Sequence, residues 1–272
     1  MKKILFMMTF LAVSLNIHAF STSIRSKKIT SGDYSGIYYF STKKAPKAIL
    51  VLYPTISGLS ILEKNIASYF AKNNFLVLIP LPYLSEISHP TPDIGRLNAE
   101  YLKPVESVKN LITELESNSP HLSTLPLFAM GASQGGIRSI LLTANYSRVK
   151  ATWFSVAGGN FPNVYAHSEV EKIKQFRERH KKVLNLNSNE EYENYLKENL
   201  SDDPIYDCQK INVPLVQIIA LKDTKVPTST QEDLAKACPE HKIIRLNKGH
   251  VAGSIANALK KEEARAFFES HF

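Results

Sequence analysis

Glycine and cysteine are both scarce in this chain, and each scarcity limits what the protein can be. Glycine makes up 11 of 272 residues, and the only two cysteines are Cys208 and Cys238. A collagen-like or glycine-rich flexible chain is therefore excluded, as is a small scaffold built from many disulfides. Neither cysteine lies at metal-ligand spacing from a histidine. We expect no metal site and no cofactor.

Long apolar runs are also scarce, and the one that occurs lies at the amino terminus. It extends from Ile4 to about Leu15, follows Lys2 and Lys3, and reaches Ala19 before the sequence turns polar. This order is typical of a secretory signal peptide. A membrane span needs about 20 apolar residues, and polar residues interrupt this run sooner. We predict cleavage after Ala19 and a periplasmic or secreted protein without stable membrane insertion; retention of the segment as an anchor is the alternative.

Acidic residues are fewer than basic ones, with 25 Asp and Glu against 33 Lys and Arg. The net charge is +8, or +6 once residues 1–19 and their two lysines are removed (31 − 25). Acids and bases are interleaved along most of the chain, and no basic stripe is spaced with aromatic residues as nucleic-acid binding requires. No nucleic-acid partner is expected, and the oligomeric state stays open.

The two cysteines favour a single disulfide. An exported protein with an even number of cysteines usually pairs them, which predicts a bond between Cys208 and Cys238. Two unpaired cysteines that act as small hydrophobic residues are the alternative.

Short apolar runs alternate with amphipathic helical patterns along residues 20–272, which predicts one α/β domain. Most of these runs are continuously apolar, as in central strands of a parallel sheet covered by helices on both faces. Strands are predicted at residues 36–40, 48–53, 75–80, 125–130, 150–156, 215–221 and 242–246. A helical stripe from Leu97 to Leu115 contains Pro104, which predicts a kink or a late helix start.

Residues from about 160 to 207 separate two predicted strands by far more than the usual loop length. They contain charged helical patterns near residues 169–182 and 189–200. We interpret this insertion as a small helical cap over the active-site end of the sheet. The alternative is a surface excursion away from the site.

Ser133 lies in the sequence Gly131-Ala132-Ser133-Gln134-Gly135, directly after the predicted strand at residues 125–130. In a G-x-S-x-G motif, one sharp turn between a strand and a helix exposes the serine hydroxyl, and small flanking residues let that turn close. Because glycine is scarce here, a serine between two glycines is informative. The motif predicts Ser133 as a nucleophile.

A serine nucleophile needs a base, and the base needs a carboxylate. His250 follows the predicted strand at residues 242–246 on a short loop, and Asp223 directly follows the strand at 215–221. Imidazole titrates in the useful range, and a carboxylate fixes its tautomer and stabilises its positive charge. His250 is therefore the predicted base and Asp223 its partner. A structural loop histidine and a turn aspartate are the alternatives.

The segments from Gly131 to Gly136 and from Leu221 to Pro227, together with Gly249-His250, make the chain similar to the α/β-hydrolase superfamily. More loosely, it resembles the dienelactone-hydrolase-like serine esterases. The resemblance implies an α/β-hydrolase fold, with a mostly parallel sheet, flanking helices and the chain order Ser, Asp, His for the triad.

Stabilising a tetrahedral oxyanion requires two preorganised N–H donors. One should be the backbone of Gln134, which follows the nucleophile. The second should come from the loop that begins at Tyr53, where Pro54 has no N–H, so Thr55 or Ile56 is the candidate. The Tyr53-Pro54 pair departs from the His-Gly pair frequent in the family.

Together these residues predict an exported serine hydrolase that cleaves small-molecule carboxylic esters or thioesters through an acyl-enzyme. A peptidase or amidase would use the same triad, and a non-catalytic binding protein would result if the Tyr53-Pro54 loop spoiled the oxyanion hole. Residues 80–84 with Phe161, Pro162 and Tyr165 are candidates for the wall of a partly apolar pocket.

Overall fold

The computed structural model describes residues 23–81 and 93–272. The predicted signal peptide at residues 1–19 lies outside the described residues, as do residues 82–84 of the predicted pocket wall. Within the described ranges, no helix has the length and apolar character needed to cross a membrane.

A single sheet of eight strands forms the centre of the described chain. The strands are β1 (Ile24–Ser31), β2 (Tyr34–Ser41), β3 (Ala48–Tyr53), β4 (Phe75–Pro80), β5 (Leu127–Ala132), β6 (Val149–Ser155), β7 (Leu215–Ala220) and β8 (Lys242–Leu246). Their spatial order is β1-β2-β4-β3-β5-β6-β7-β8. Strand β2 pairs antiparallel with β1 and β4, and all other neighbours are parallel. The predicted mostly parallel sheet is confirmed.

The seven predicted strands are present within two residues of their expected bounds, whereas β1 is not among the predictions. Its sequence, IRSKKITS, buries only Ile29 and exposes most of its other side chains. An edge strand with charged side chains lacks the apolar run of a central strand. This is the physical reason why the pattern does not reveal β1.

Eleven α-helices connect and cover the strands of the described chain. They are α1 (Ile61–Lys72), α2 (Ile94–Ala99), α3 (Lys103–Asn118), α4 (Gln134–Asn145), α5 (Phe161–His167), α6 (Glu171–Leu184), α7 (Asn189–Asn199), α8 (Pro204–Cys208), α9 (Thr228–Ala237), α10 (His250–Leu259) and α11 (Lys261–Glu269). Pro104 lies in the first turn of α3, where its missing N–H removes no helical bond. The predicted late helix start is confirmed.

Both faces of the sheet are packed. Leu50 and Leu52 of β3 face a cluster that includes Phe70 of α1 and Phe268 of α11. Ile49 and Val51 of the same strand face the opposite cluster, which includes residues of α3 and α4. Successive strand side chains point to opposite faces, so a continuously apolar strand is one that is covered on both sides.

The insertion between β6 and β7 forms a helical cap. Helices α6 and α7 lie within two residues of the two predicted helical patterns. They share a separate apolar cluster with α5, built around Tyr165, Phe176 and Tyr192, and Ile56 and Leu97 from outside the insertion pack against it. Because Ile56 follows the carboxyl end of β3, the cap lies over that edge of the sheet.

The predicted disulfide is confirmed. Cys208 at the end of α8 is bonded to Cys238, directly after α9, with a Cα–Cα distance of 4.8 Å. The bond encloses β7, the Asp223 loop and α9. It therefore fixes the segment that carries the predicted acid.

Candidate active site

Strand β5 passes into α4 through a single residue, Ser133. Its φ of 55° and ψ of −125° lie in a region that residues with a side chain rarely adopt. A Cβ added at Gly131 would lie 2.2 Å from the Gly135 oxygen, and one at Gly135 would lie 2.4 Å from the Tyr53 oxygen. The backbone N–H of Ser133 donates to Ser155 O at 2.9 Å. The two glycines of the motif are thus sterically required, and the strained turn is held by the neighbouring strand.

Asp223 and His250 are in direct contact. The His250 Nδ1 atom lies 2.7 Å from Asp223 Oδ2. The other carboxylate oxygen accepts the backbone N–H groups of Lys225 at 2.9 Å and Val226 at 3.0 Å. Since a carboxylate only accepts, the Nδ1 atom of His250 carries the proton and Nε2 is left as the basic nitrogen.

Gln231 is a site residue that the sequence analysis does not identify. It is fully buried in α9, and its Nε2 donates to Asp223 Oδ2 and to Val226 O, both at 2.9 Å. Its Oε1 accepts the backbone N–H of Ala220 at 3.1 Å. Asp223 therefore has four donors around its carboxylate. In the sequence, the only signal for this role is that Gln231 lies on the same helix face as the buried Leu234.

The helix that begins with His250 is tied to the nucleophile strand. Asn257 lies seven residues along α10, close to two full turns, so it shares a face with His250. Its Nδ2 donates to Gly131 O at 2.9 Å. Between them, a Cβ on Gly253 would lie 2.4 Å from Val156 Cγ1, so α10 runs directly against the end of β6.

The three predicted triad residues follow the carboxyl ends of β5, β7 and β8, which are parallel members of one sheet. The structure joins Asp223 to His250 by a hydrogen bond. None of the described residues forms a hydrogen bond with the Ser133 hydroxyl. Such hydroxyl–imidazole bonds are often long without substrate and shorten in the reactive complex.

The predicted oxyanion residues lie on two neighbouring segments. Gln134 and Ile56 both line a cavity together with Ser133. Thr55 does not line it; its carbonyl accepts the N–H of Gly58 at 2.9 Å and closes a turn. The Tyr53 hydroxyl donates to Pro104 O at 2.9 Å, and Tyr53 is buried. Tyr53 is thus part of the core.

The other acids of the predicted cap have different positions from Asp223. Asp203 accepts the backbone N–H of Asn160 at 2.9 Å and so holds the start of α5. Asp207 accepts the Tyr101 hydroxyl at 2.7 Å, and burial together with this bond raises the pKa of Tyr101. Asp202 lines the cavity beside Ser133. Structural roles therefore account for Asp203 and Asp207.

The cavity beside Ser133 is mostly apolar, has a volume of about 120 Å³ and is partly open to solvent. Its walls include Ile56, Ile137, Leu141, Val164 and Ile173. Phe161 and Tyr165 line it, as the sequence predicts, whereas Pro162 lines an adjacent cavity. Among the described residues, no group of three or more His, Cys, Asp or Glu side chains is arranged to hold a metal ion.

No protein-family model and no curated protein sequence matches this chain. Solved structures do match it. A Pyrococcus horikoshii acylaminoacyl peptidase is 17% identical with a TM-score of 0.67, over 95% of this chain and 43% of the peptidase. An acetyl xylan esterase from Paenibacillus sp. R4 is 14% identical with a TM-score of 0.67, over 94% of this chain and 86% of the esterase. A Klebsiella pneumoniae protein assigned as a dienelactone hydrolase is 16% identical with a TM-score of 0.56, over 89% and 98% of the two chains.

These similarities concern the fold. The matching chains share the arrangement of a mostly parallel sheet with flanking helices, and identities below 20% carry no residue-level assignment. The chain spans less than half the length of the acylaminoacyl peptidase. The described residues have the α/β-hydrolase fold that the sequence predicts.

Proposed function

We propose that this protein is an exported serine hydrolase that cleaves carboxylic esters, or thioesters, through an acyl-enzyme. The observation that carries the proposal is the 2.7 Å bond between Asp223 and His250. It lies at the sheet edge where the strained turn presents Ser133 to an apolar cavity. A nucleophile, a base with a fixed tautomer and a substrate cavity together favour acyl transfer over a purely structural role.

In the proposed mechanism, Ser133 Oγ attacks the carbonyl carbon while His250 Nε2 takes the hydroxyl proton. Asp223 stabilises the imidazolium that forms. His250 then gives the proton to the leaving alcohol or thiol, and the acyl group stays on Ser133. Water then enters, loses a proton to His250 and attacks the acyl-enzyme. His250 returns this proton to Ser133 Oγ as the acyl–Oγ bond breaks and the acid is released.

The developing oxyanion needs donors at the start of α4. Gln134 supplies the first N–H. We favour Ile56 over Thr55 for the second, because Ile56 lines the cavity with Ser133 and Gln134. The close approach of Gly135 to the Tyr53 oxygen brings this loop against the first turn of α4. Loss of one such donor costs roughly 3 kcal/mol of transition-state stabilisation.

Export is supported by two separate features. Residues 1–19 have the order of a signal peptide. The Cys208–Cys238 disulfide fits an oxidising compartment, because cytosolic thiols are kept reduced. We therefore place the mature protein in the periplasm or outside the cell.

Amide hydrolysis is the second candidate, because one structure of similar fold is an acylaminoacyl peptidase. The test is turnover of an ester and an amide with the same acyl group by the purified mature protein. We expect ester cleavage that Ser133→Ala abolishes. Ser139→Ala, which changes a buried serine within α4, should retain it. Faster cleavage of the amide would assign peptidase or amidase activity, and equal ester turnover by Ser133→Ala would refute the proposal.

A further inference from the structure

The cavity beside Ser133 is lined by a largely buried tyrosine whose hydroxyl has no hydrogen-bond partner among the described residues. Tyr165 is 7% exposed and lines the cavity. The hydroxyls of three other largely buried tyrosines are paired: Tyr53 with Pro104 O, Tyr101 with Asp207 and Tyr192 with His180. No described residue forms a hydrogen bond with the Tyr165 hydroxyl. In a mostly apolar cavity, a few polar groups on the wall orient the ligand, and this hydroxyl is such a group.

Tyr165 is held firmly by its backbone and its ring. The Nη1 atom of Arg177 donates to the carbonyls of Tyr165 at 3.3 Å and Ala166 at 3.0 Å. The Tyr165 ring contacts Phe161 and Phe176, with centroid distances of 5.5 and 5.8 Å. The position of the hydroxyl is therefore set before a ligand enters, which lowers the entropy lost on binding.

The Tyr165 hydroxyl remains protonated over the physiological range. Burial, with the carboxylates of Asp203 and Glu100, raises the pKa of Tyr165. It can therefore both donate and accept a hydrogen bond. A second unpaired polar atom belongs to the same cavity wall: Asn98 lines the cavity, and its Oδ1 is buried without a partner. The Nδ2 atom of Asn98 donates a hydrogen bond to Asn199 O at 3.4 Å, and this bond identifies the other amide atom as Oδ1.

Most of the remaining cavity wall is apolar, and the charged residues Glu100, Arg138 and Asp202 line the rest of it. Gln134, Ile137 and Leu141 line it along one face of α4. Seven residues of helix rise about 10 Å, so the cavity extends about that far from the nucleophile. The ligand therefore needs an apolar body of this length and a polar group at one point along it.

We propose that the substrate carries, apart from the ester, a hydroxyl or amide group that hydrogen-bonds the hydroxyl of Tyr165. The Oδ1 atom of Asn98 accepts a hydrogen bond from the same part of the substrate. This inference rests on ester hydrolysis at Ser133 and specifies the substrate class. A plain alkyl ester leaves the Tyr165 hydroxyl unpaired, and sites built to bind a substrate hydroxyl discriminate strongly against analogues that lack it.

The test compares wild type with Tyr165→Phe, which removes the hydroxyl and keeps the ring contacts. Tyr192→Phe is the matched control, because its hydroxyl contacts His180 within the cap. The acyl series is p-nitrophenyl hexanoate and its analogues hydroxylated at carbon 2, 3 or 6, which do not cyclise to five- or six-membered lactones. The alcohol series is hexyl acetate and the corresponding hydroxyhexyl acetates.

We expect wild type to prefer at least one hydroxylated ester by tenfold or more in kcat/KM. Tyr165→Phe should lose that preference because its rate falls more on the hydroxylated ester than on the plain ester, whereas Tyr192→Phe should keep the preference. The thermal midpoint of Tyr165→Phe should equal or exceed that of wild type, because no hydrogen bond of the free protein is lost.

Two results would overturn the inference while leaving ester hydrolysis intact. One is turnover of plain esters, abolished by Ser133→Ala, with no preference in either series. The other is an equal loss on plain and hydroxylated esters in Tyr165→Phe. If no ester is turned over and Ser133→Ala behaves as wild type, the proposed function fails and this inference fails with it.

Discussion

The two sides of Ser133 differ in how their polar groups are satisfied. On one side, the Asp223 carboxylate accepts four hydrogen bonds from Lys225, Val226, Gln231 and His250. On the cap side, the hydroxyl of Tyr165 is unpaired among the described residues, and the Oδ1 atom of Asn98 is buried without a partner. The Asp223 carboxylate is thus satisfied within the protein, whereas these two polar atoms on the cap side are not.

This difference matches two separate tasks. Groups that stabilise charge in a transition state work best when they need no reorganisation during the reaction. Groups that select a substrate gain selectivity when only the correct ligand satisfies them. We infer that the edge formed by β7, α9 and α10 serves the reaction and the cap serves recognition. The two sides can therefore be changed separately by mutation.

The largest effect should follow Asp223→Asn. An amide in place of the carboxylate favours the wrong imidazole tautomer and no longer stabilises the imidazolium, so we expect kcat to fall by about 10⁴. Steady-state ester hydrolysis measures it. Asp202→Asn on the cap side is the control and should keep kcat within about tenfold. A kcat close to wild type in Asp223→Asn would remove this carboxylate from the mechanism.

Loss of the disulfide should act on stability more than on turnover. The bond between Cys208 and Cys238, 30 positions apart, encloses the segment with Asp223 and Gln231. A crosslink that closes a loop of this length lowers the entropy of the unfolded chain, which should contribute roughly 3 to 4 kcal/mol to the free energy of unfolding. Denaturant unfolding of the Cys208→Ser, Cys238→Ser double variant measures it. An unchanged midpoint would show that this segment is held by packing alone.

Gln231→Met should slow the reaction by about 10- to 100-fold, in line with losses of supporting residues around other reactive centres. The side chain keeps its approximate volume but no longer donates to Asp223 Oδ2 or accepts from Ala220 N–H. We expect kcat to fall while KM changes less than twofold, because substrate is bound on the cap side. Gln175→Met, on the exposed surface of α6, is the control. Equal changes in kcat and KM would indicate a general structural role.

The smallest expected effect is on the pH dependence of the protein's stability, through a histidine in the cap. Burial lowers the pKa of His180, which contacts the Tyr192 hydroxyl at 3.0 Å. The folded state therefore binds this proton less readily than the unfolded state, so stability is full above the unfolded pKa of about 6.5 and falls as pH decreases below it. His180→Gln should flatten this dependence in thermal unfolding at pH 5 to 8. An identical pH profile in the variant would contradict the assignment.

The sequence predicts the parts of the site that depend on local geometry. Gly131 and Gly135 around Ser133 indicate a turn that only small residues can close, and the structure has that turn. Asp223 and His250 follow predicted strands, and parallel strands bring their carboxyl ends to one edge. Both inferences need only strand order and the chemistry of the residue types.

Other features depend on how helices pack, and helix packing leaves no readable pattern in a single sequence. Gln231 reaches Asp223 because α9 packs against β7, and Asn257 reaches Gly131 because α10 crosses the ends of the strands. The sequence suggests Tyr165 only as a pocket wall. That its hydroxyl lacks a partner follows from the three-dimensional positions of α5 and α6.

We propose that Ser133, His250 and Asp223 act as one unit, which fluorophosphonate labelling followed by peptide mapping can test. The mature wild-type protein should carry a single phosphonyl adduct, on Ser133. Ser133→Ala should carry none, and His250→Ala should label at least 100-fold more slowly while unfolding at a similar temperature. An adduct on another residue, or equal labelling of wild type and Ser133→Ala, would contradict the account.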